Sequence, residues 1–380
     1  MKIKTVCKLD KCAGCTACVD ICPQKAIFIE KSMKSYNAVI NEQLCIACNA
    51  CHIVCPNNSQ PETSEPLKWY QGWAKDFEVR ANGSSGGVAT ALSKRIIEEK
   101  GIVWSCVFER GDFVFRKVEA IDELSKFAGS KYVKSNPTGA YKMIKSELIL
   151  KKKVLFIGLP CQVASLKNYV GNALIDNLYT VDVICHGTPS IEMLEKYLLQ
   201  HNYKLSDLID IRFRKKMHYQ MYEKGSAGKY KGIEEEGITD CYLIAFLNGL
   251  SYTENCYSCD YAKTARVSDI TLGDSWGSNL SNAEKKKGIS LILCQSKKGI
   301  ELIRRAEIHL ESVNVENAIL RNYQLMHSPE KPKNRGKFLE RLEADEEFDK
   351  LIAEYFPRQY RKQKIKKWLL SKLRCLAILQ

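Results

Sequence analysis

The sequence predicts a mixed α+β and α/β protein in three parts. A small cysteine-built module covers residues 1–60, a larger mixed α/β domain covers 67–330, and a basic helical extension covers 338–380. Three observations predict this. Two cysteine quartets of identical spacing occupy the first part. Short apolar runs alternate with stretches of helical character through the second. In the third, lysines and arginines interleave with apolar residues that recur every three or four positions, the period of a helix face.

The first quartet reads Cys12-x2-Cys15-x2-Cys18-x3-Cys22-Pro23, and the second Cys45-x2-Cys48-x2-Cys51-x3-Cys55-Pro56. A tight loop of this kind wraps three thiolates around one corner of a metal–sulfur cube while the fourth cysteine points away. The expected pairing is therefore crossed: Cys12, Cys15, Cys18 and Cys55 hold one [4Fe-4S] cluster, and Cys45, Cys48, Cys51 and Cys22 hold the other, in a bacterial-type ferredoxin fold. Ala13, Gly14, Ala47 and Ala50 are small enough to let backbone N–H groups approach the inorganic sulfurs. Zinc is the competing metal, because Cys-x2-Cys pairs also bind it tetrahedrally; two complete quartets ending in Cys-Pro favour iron–sulfur. Cys7 lies outside both quartets and is expected to be an unligated thiol in the first strand. The polar, proline-punctuated stretch from Asn57 to Pro66 reads as a linker.

Composition fits this reading. Of 17 cysteines, nine precede residue 56, too tightly and regularly spaced for a disulfide framework. No apolar leader follows Met1 and no apolar run is long enough to cross a bilayer, so a cytoplasmic location with reduced thiols is expected. The formal charge of +14 omits the negative charge of bound clusters. The remaining excess favours anionic partners such as phosphorylated cofactors, acidic proteins or lipid headgroups. No motif for nucleic-acid recognition accompanies it.

In the middle part, Ser85 to Lys100 has helical character, while Gly101 to Cys106, Lys153 to Ile157 and Leu178 to Ile184 read as strands. Further on, Leu208 to Phe213, Asp269 to Leu272 and Ser290 to Gln295 read as strands, Gly225 to Gly237 as a hairpin or loop, and Asp240 to Leu250 as a helix. Residues 331–337 read as mobile. The turn Asn82-Gly83-Ser84-Ser85-Gly86-Gly87 precedes a helix and could hold a phosphate or another anion, or simply cap the helix. It matches neither G-x-G-x-x-G nor a P-loop.

Five later motifs act in combination: Gly129-Ser130-Lys131-Tyr132-Val133, Gly158-Leu159-Pro160-Cys161-Gln162, the run from Asp182 to Ser190 containing Cys185-His186, Cys256-Tyr257-Ser258-Cys259, and Gly273-Asp274-Ser275-Trp276-Gly277. With the quartets they resemble the beta subunit family of hydrogenases and dehydrogenases that use the deazaflavin coenzyme F-420, over roughly residues 1–330. The resemblance implies an oxidoreductase with FAD in the large domain and a third [4Fe-4S] cluster on Cys161, Cys185, Cys256 and Cys259. The residues themselves are compatible: Cys161 and Cys185 each follow an apolar strand, and Cys256-x2-Cys259 is a two-ligand clip. Buried inert thiols and a zinc clip are the alternatives.

For FAD, the turn residues Asn82, Ser84, Ser85, Gly86 and Gly87 form one candidate group and Ser130, Lys131 and Tyr132 a second. His186 and Lys131 are the catalytic candidates, each with a bland alternative: a satisfied structural histidine and a solvated loop lysine. Asp274 and Trp276 line the pocket or cap a turn. Arg212, Arg214, Lys215 and Lys216 bind an acidic coenzyme tail or form a solvated strand edge. Cys106, Cys241, Cys294 and Cys375 stand singly in apolar surroundings and read as core.

Three functions follow. The first is a flavin and iron–sulfur oxidoreductase with a small-molecule redox substrate and a redox partner protein. The second is an electron-transfer subunit without its own substrate, and the third a non-catalytic iron–sulfur binding or sensing protein. In the tail, Arg358, Arg361, Lys362, Lys364, Lys366, Lys367, Lys372 and Arg374 interleave with Ile365, Trp368, Leu369, Leu373 and Leu376. That apolar stripe packs on the protein's own core, meets an acidic partner subunit, or lies on an anionic membrane surface.

Overall fold

The computed structural model describes residues 4–378, with side chains described through residue 372. Leu373, Arg374, Cys375 and Leu376 therefore lie outside the described side chains. The first part carries an antiparallel hairpin, β1 (Ile27–Lys31) and β2 (Tyr36–Ile40), and two one-turn helices, Ala17–Ile21 and Ala50–Val54. Each helix starts inside a quartet and is preceded by two residues of positive φ. These are Gly14 (70°) and Thr16 (60°) in the first loop, and Ala47 (54°) and Asn49 (62°) at the matching positions of the second. Left-handed backbone at non-glycine residues costs on the order of 1 kcal/mol each and collects in loops that clamp something.

The larger domain is built on an eight-stranded mixed sheet. In chain order its strands are β3 (Lys68–Ala74), β4 (Ile102–Glu109), β5 (Asp112–Val118), β6 (Val154–Gly158) and β7 (Leu178–Val183). A separate antiparallel sheet of β8 (Asp210–Lys215), β9 (His218–Lys224) and β10 (Tyr230–Gly232) follows. The large sheet then resumes with β11 (Ile270–Asp274), β12 (Ser290–Cys294) and β13 (Ile308–Glu311). Its order is β13-β3-β12-β11-β7-β6-β4-β5. The four central strands β4, β6, β7 and β11 are parallel, and the flanking pairs are antiparallel. Parallel strands must be covered on both faces, which explains their continuous Val, Leu and Ile runs. Each expected strand is present within three residues at either end, and the expected helices shorten to Val88–Glu98 and Cys241–Leu247.

One face of the sheet buries Val88, Ala91, Leu92 and Ile96 against Val103, Leu155, Val181 and Ile270. The opposite face is covered by helices Ala140–Ile149 and Pro160–Val170, and this core continues without a break into the cysteine module. Tyr141, Ile144, Val163 and Ala164 share it with Ala17, Cys18, Ile27 and Val54. The stretch from Asn57 to Pro66 is strapped down accordingly. Asn57 and Asn58 donate to the carbonyls of Lys11 and Val6, Asn168 donates to Ser59 O, and Ser64 bridges to Arg266.

Two expectations change. Residues 331–337 are docked rather than mobile: Arg335, 1% exposed, donates to Tyr252 O and Lys34 O and pairs with Glu254 at 3.0 Å. A single buried guanidinium outweighs a polar composition. The tail forms the helix Pro357–Ile378, but Ile365, Trp368 and Leu369 are exposed. Its packed face is instead Phe356, Tyr360, Gln363, Lys367 and Leu370. Gln363 accepts from Thr239 N, Lys366 donates to Gly237 O, and Lys367 pairs with Glu234.

Asp240, at the start of Cys241–Leu247, is wholly buried and accepts from Met221 N. Burial raises its pKa from 3.8 to about 8. The folded state thus binds this proton more tightly than the unfolded chain. Its contribution to stability is full below the unfolded value and is lost as pH rises through the folded one. Asp240→Asn should remove that loss. In urea titrations at pH 5, 6, 7 and 8, the variant's stability relative to the parent should climb steadily; a difference independent of pH would contradict the assignment.

Candidate functional site

Three of the four parallel strands deliver their carboxyl ends to one place, where open α/β sheets bind ligands. Beyond β6 lies Gly158-Leu159-Pro160-Cys161-Gln162. Pro160 opens a helix at a position where its missing N–H costs nothing, and Gln162 reaches back to accept from Leu159 N at 2.9 Å. Beyond β7 lie Ile184, Cys185 and His186, and β11 ends on Asp274. Between these loops and the turn before Val88–Glu98 is a cavity of about 310 Å³, at the small end of ligand pockets.

Ser84, Ser85, Gly87, Ser130, Lys131 and Tyr132 all line it. The two polar loops are joined, since Ser130 N donates to Ser84 Oγ at 2.7 Å. Asn82 and Gly86 are corrected: neither lines the cavity. Asn82 closes the helix Phe77–Asn82. Gly86 is a packing glycine, where a Cβ would stand 2.5 Å from Gly72 O. Gly87 takes φ 78°, and a Cβ there would meet Val79 O at 2.7 Å.

The basic run on β8 is also corrected. Arg214 is buried and makes a two-pronged pair with Asp274, Nη1 to Oδ2 at 2.7 Å and Nη2 to Oδ1 at 2.9 Å. It also donates to Ser84 O and to the hydroxyls of Tyr132 and Tyr219. Its Nε is buried with no hydrogen-bond partner among the described residues, so the cavity lacks an acceptor there. Arg212 and Lys215 lie over the rings of Tyr230 and Tyr222, and Lys216 donates to Ser85 O. Of the four only Lys215 is exposed.

Lys131 donates to the carbonyls of Phe127, Ala128 and Gly129 at 3.1, 3.3 and 3.2 Å, stapling its own loop. Burial lowers its pKa. His186 lines the cavity, and burial lowers its pKa too. Its Nδ1 lies 3.0 Å from Gln324 Nε2, which leaves Nε2 to carry the proton of the neutral ring. Tyr132 stacks on Phe246 at 4.4 Å to form an aromatic wall. Asp274 and Trp276 line the cavity, as does Cys106, which is therefore not a plain core thiol; Cys241 and Cys294 are buried. Sequence patterning did not single out Tyr219, Phe246 or Gln162, because their roles arise only from long-range packing.

The cysteines gather in three groups. Cys18 is pushed up by burial and by its neighbours Cys15, Cys12, Cys55 and Cys51. Cys51 is raised by burial, with Cys22 and Cys45 beside it. The two quartets thus lie side by side, with Cys55 near the first loop and Cys22 near the second. Cys7, buried beside them, accepts from Asn57 Nδ2 and holds the Cys12 and Cys55 thiols down. The dispersed four also meet: burial raises Cys161, with Cys259, Cys185 and Cys15 beside it, and Cys185 lies next to Cys256 and Cys259. Cys256 Sγ accepts from Thr188 N at 3.4 Å, as Cys12 Sγ does from Gly14 N. N–H groups aimed at sulfur suit thiolate ligands. Among the described residues no three His, Cys, Asp or Glu side chains are drawn together tightly enough to share one metal ion. A zinc cage needs sulfurs about 3.8 Å apart, and a four-iron cube a wider one.

A ferredoxin-type module packed against an α/β domain with a cavity at its strand ends defines an iron–sulfur oxidoreductase component. Residues 151–317 match the carboxyl-terminal part of the coenzyme F420 hydrogenase/dehydrogenase beta subunit and residues 69–140 its amino-terminal part, while residues 11–59 match a 4Fe-4S dicluster domain. The chain belongs to the coenzyme F420 hydrogenase/dehydrogenase beta subunit family. A chain from a structure of the F420-reducing [NiFe] hydrogenase complex of Methanosarcina barkeri is 18% identical, over 74% of this chain and 94% of its own, with a TM-score of 0.49. No curated protein matches.

Removing one member of a buried ion pair while leaving the other costs about 3 kcal/mol. Asp274→Ala should destabilise the protein by that order, and the double change Arg214→Met with Asp274→Ala should recover part of the loss. Chemical denaturation of the singles and the double measures the coupling. Additive losses would mean that the two side chains act independently.

Proposed function

We propose that the chain is a flavin- and iron–sulfur-dependent oxidoreductase. It moves electrons between a two-electron donor or acceptor at FAD, reduced coenzyme F420 among the candidates, and the one-electron clusters of its amino-terminal module. The observation that supports this best is the sequence of thiol groups from surface to cavity. Cys48 is exposed, Cys51 neighbours Cys18, Cys15 neighbours Cys161, and Cys185 lines the cavity. In this reading Cys161, Cys185, Cys256 and Cys259 hold a third [4Fe-4S] cluster. The loops at Ser84, Ser85 and Gly87 and at Ser130, Lys131 and Tyr132 contact FAD.

FAD, when bound, can exchange two electrons with a hydride donor and single electrons with a cluster. The chain's own residues prepare that site. Phe115, Ile157, Leu159, Phe246 and Leu272 exclude water from the cavity. Arg214, locked by Asp274, presents a fixed positive charge at the cavity wall. His186 offers an N–H from Nε2, whereas Lys131, committed to three carbonyls, shapes the loop. A redox partner protein would meet the exposed Cys48 end.

Anaerobically purified protein should carry about 12 iron and 12 sulfide per chain, four of each per cluster, and should release FAD on denaturation. Cys256→Ser or Cys259→Ser should bring iron to about eight. Near eight iron in the reconstituted parent, unmoved by either change, would remove the third cluster; release of FMN alone would contradict the dinucleotide. Bound FAD without turnover until a partner subunit is added would favour a pure electron-transfer subunit.

The tail supports a second assignment: contact between a cytoplasmic enzyme and an anionic bilayer surface. Ile365, Trp368 and Leu369 are exposed on one side of the helix, beside exposed Arg361, Lys362, Lys364 and Lys372. Among the described residues no helix is long and apolar enough to cross a membrane. Basic residues at such a surface contribute about 1 kcal/mol each. Full-length protein should float with phosphatidylserine liposomes at low salt and detach at high salt, and the triple change of Ile365, Trp368 and Leu369 to Ser should abolish flotation. Absence of flotation by the parent at low salt would end this assignment.

A further inference from the structure

Lys134 joins the segments that hold two different cysteine groups. Its Nζ donates to Ala13 O at 3.0 Å, inside the Cys12–Cys15 loop, and to Asn255 Oδ1 at 3.4 Å, next to Cys256. The side chain is 5% exposed and crosses the Tyr36 ring at 5.5 Å. Gly14 lets the loop close on it, since a Cβ there would stand 3.0 Å from Lys134 Cδ and 2.9 Å from Tyr36 Cδ2.

The hydrogen-bond partners of this ammonium among the described residues are neutral. A buried charge with only neutral partners is expensive, and anionic neighbours remove the penalty. Another buried cation of the region differs. Arg266, beside Cys185 and Cys259, is paired with Asp182 at 3.1 Å, so its charge is answered within the protein.

We propose that Lys134 is a positioning residue whose unanswered positive charge, fixed between the Cys12/Cys15/Cys18/Cys55 and Cys161/Cys185/Cys256/Cys259 groups, favours the reduced forms of the two clusters there. This rests on the cluster assignments above. Reduction adds one negative charge to a cluster already surrounded by four thiolates, and a nearby fixed cation stabilises it. The same charge acts on both clusters, so it raises both potentials together and leaves the difference between them nearly unchanged. Lys134 makes no hydrogen bond to the Cys45–Cys51 loop among the described residues, so the cluster of Cys45, Cys48, Cys51 and Cys22 serves as an internal reference.

The test is an anaerobic redox titration of the full holoprotein followed by electron paramagnetic resonance, with iron content measured on each sample. Lys134→Gln should lower the potentials of both flanking clusters by about 59 mV, a tenfold change in a one-electron equilibrium, and move the outer cluster less. Lys134→Arg, which keeps the charge, should stay near the parent. Should the Gln variant lose iron, Lys134→Met offers a neutral side chain of similar reach for the same readout. Unmoved flanking potentials at full iron content, or an Arg variant displaced as far as the neutral ones, would overturn the electrostatic role. A parent that lacks the third cluster's signal and iron would overturn the underlying assignment instead, leaving a distinct signature.

Discussion

Ala17, Cys18 and Val54 are buried in the same core as Tyr141, Val163 and Ala164, so the cysteine module cannot move independently of the sheet beneath it. Everything at the site depends on that shared packing. The helix Pro160–Val170 touches the module along its length and presents Cys161 at its start. Electron transfer between fixed centres falls steeply with distance, and a module on a free linker would sample many distances. Here apolar contact sets one, and the strapped stretch from Asn57 to Pro66 adds polar ties to the same seam.

The second constraint is electrostatic. The cavity and its surroundings bury several charged groups, and each is answered differently. Arg214 has Asp274, Arg266 has Asp182, and Lys131 has three carbonyls. Such pairing makes these positions rigid, because removing any partner strands a charge in a poorly polarisable interior. Rigidity of this kind suits a cofactor that must be held at one orientation. It also explains why residues read as a solvated strand edge are the most committed in the region.

Legibility in the sequence followed the range of the interactions. The quartets are local, so spacing alone revealed them and their likeness to each other; the matching left-handed positions at Gly14 and Ala47 emerge only in the structure. The parallel strands were visible as apolar runs because both their faces are covered. Cys161, Cys185, Cys256 and Cys259 were visible as a group only through family resemblance, since no local pattern ties residues so far apart. Arg214 and Asp274 lay beyond reach for the same reason. Asn82 and Gly86 were misread because a glycine-rich turn does not reveal which of its members faces a ligand and which faces the neighbouring strand. Of the three readings of the tail stripe, packing on the protein's own core gave way, because the packed face is aromatic and polar and meets the backbone and carboxylates of residues 234–239.

The dispersion of the inner thiols along the chain has a consequence for biogenesis. Cys12, Cys15 and Cys18 emerge early in synthesis and, with Cys55, can gather as soon as the module exists. Cys256 and Cys259 arrive much later and are closed over by Arg335 and the segments that follow it. A metal centre on the inner four would have to be delivered after residue 259 is made and before that closure, a narrow interval during maturation. Cells short of iron–sulfur donors would then accumulate chains with a complete outer module and an incomplete interior, folded enough to persist but unable to pass an electron inward.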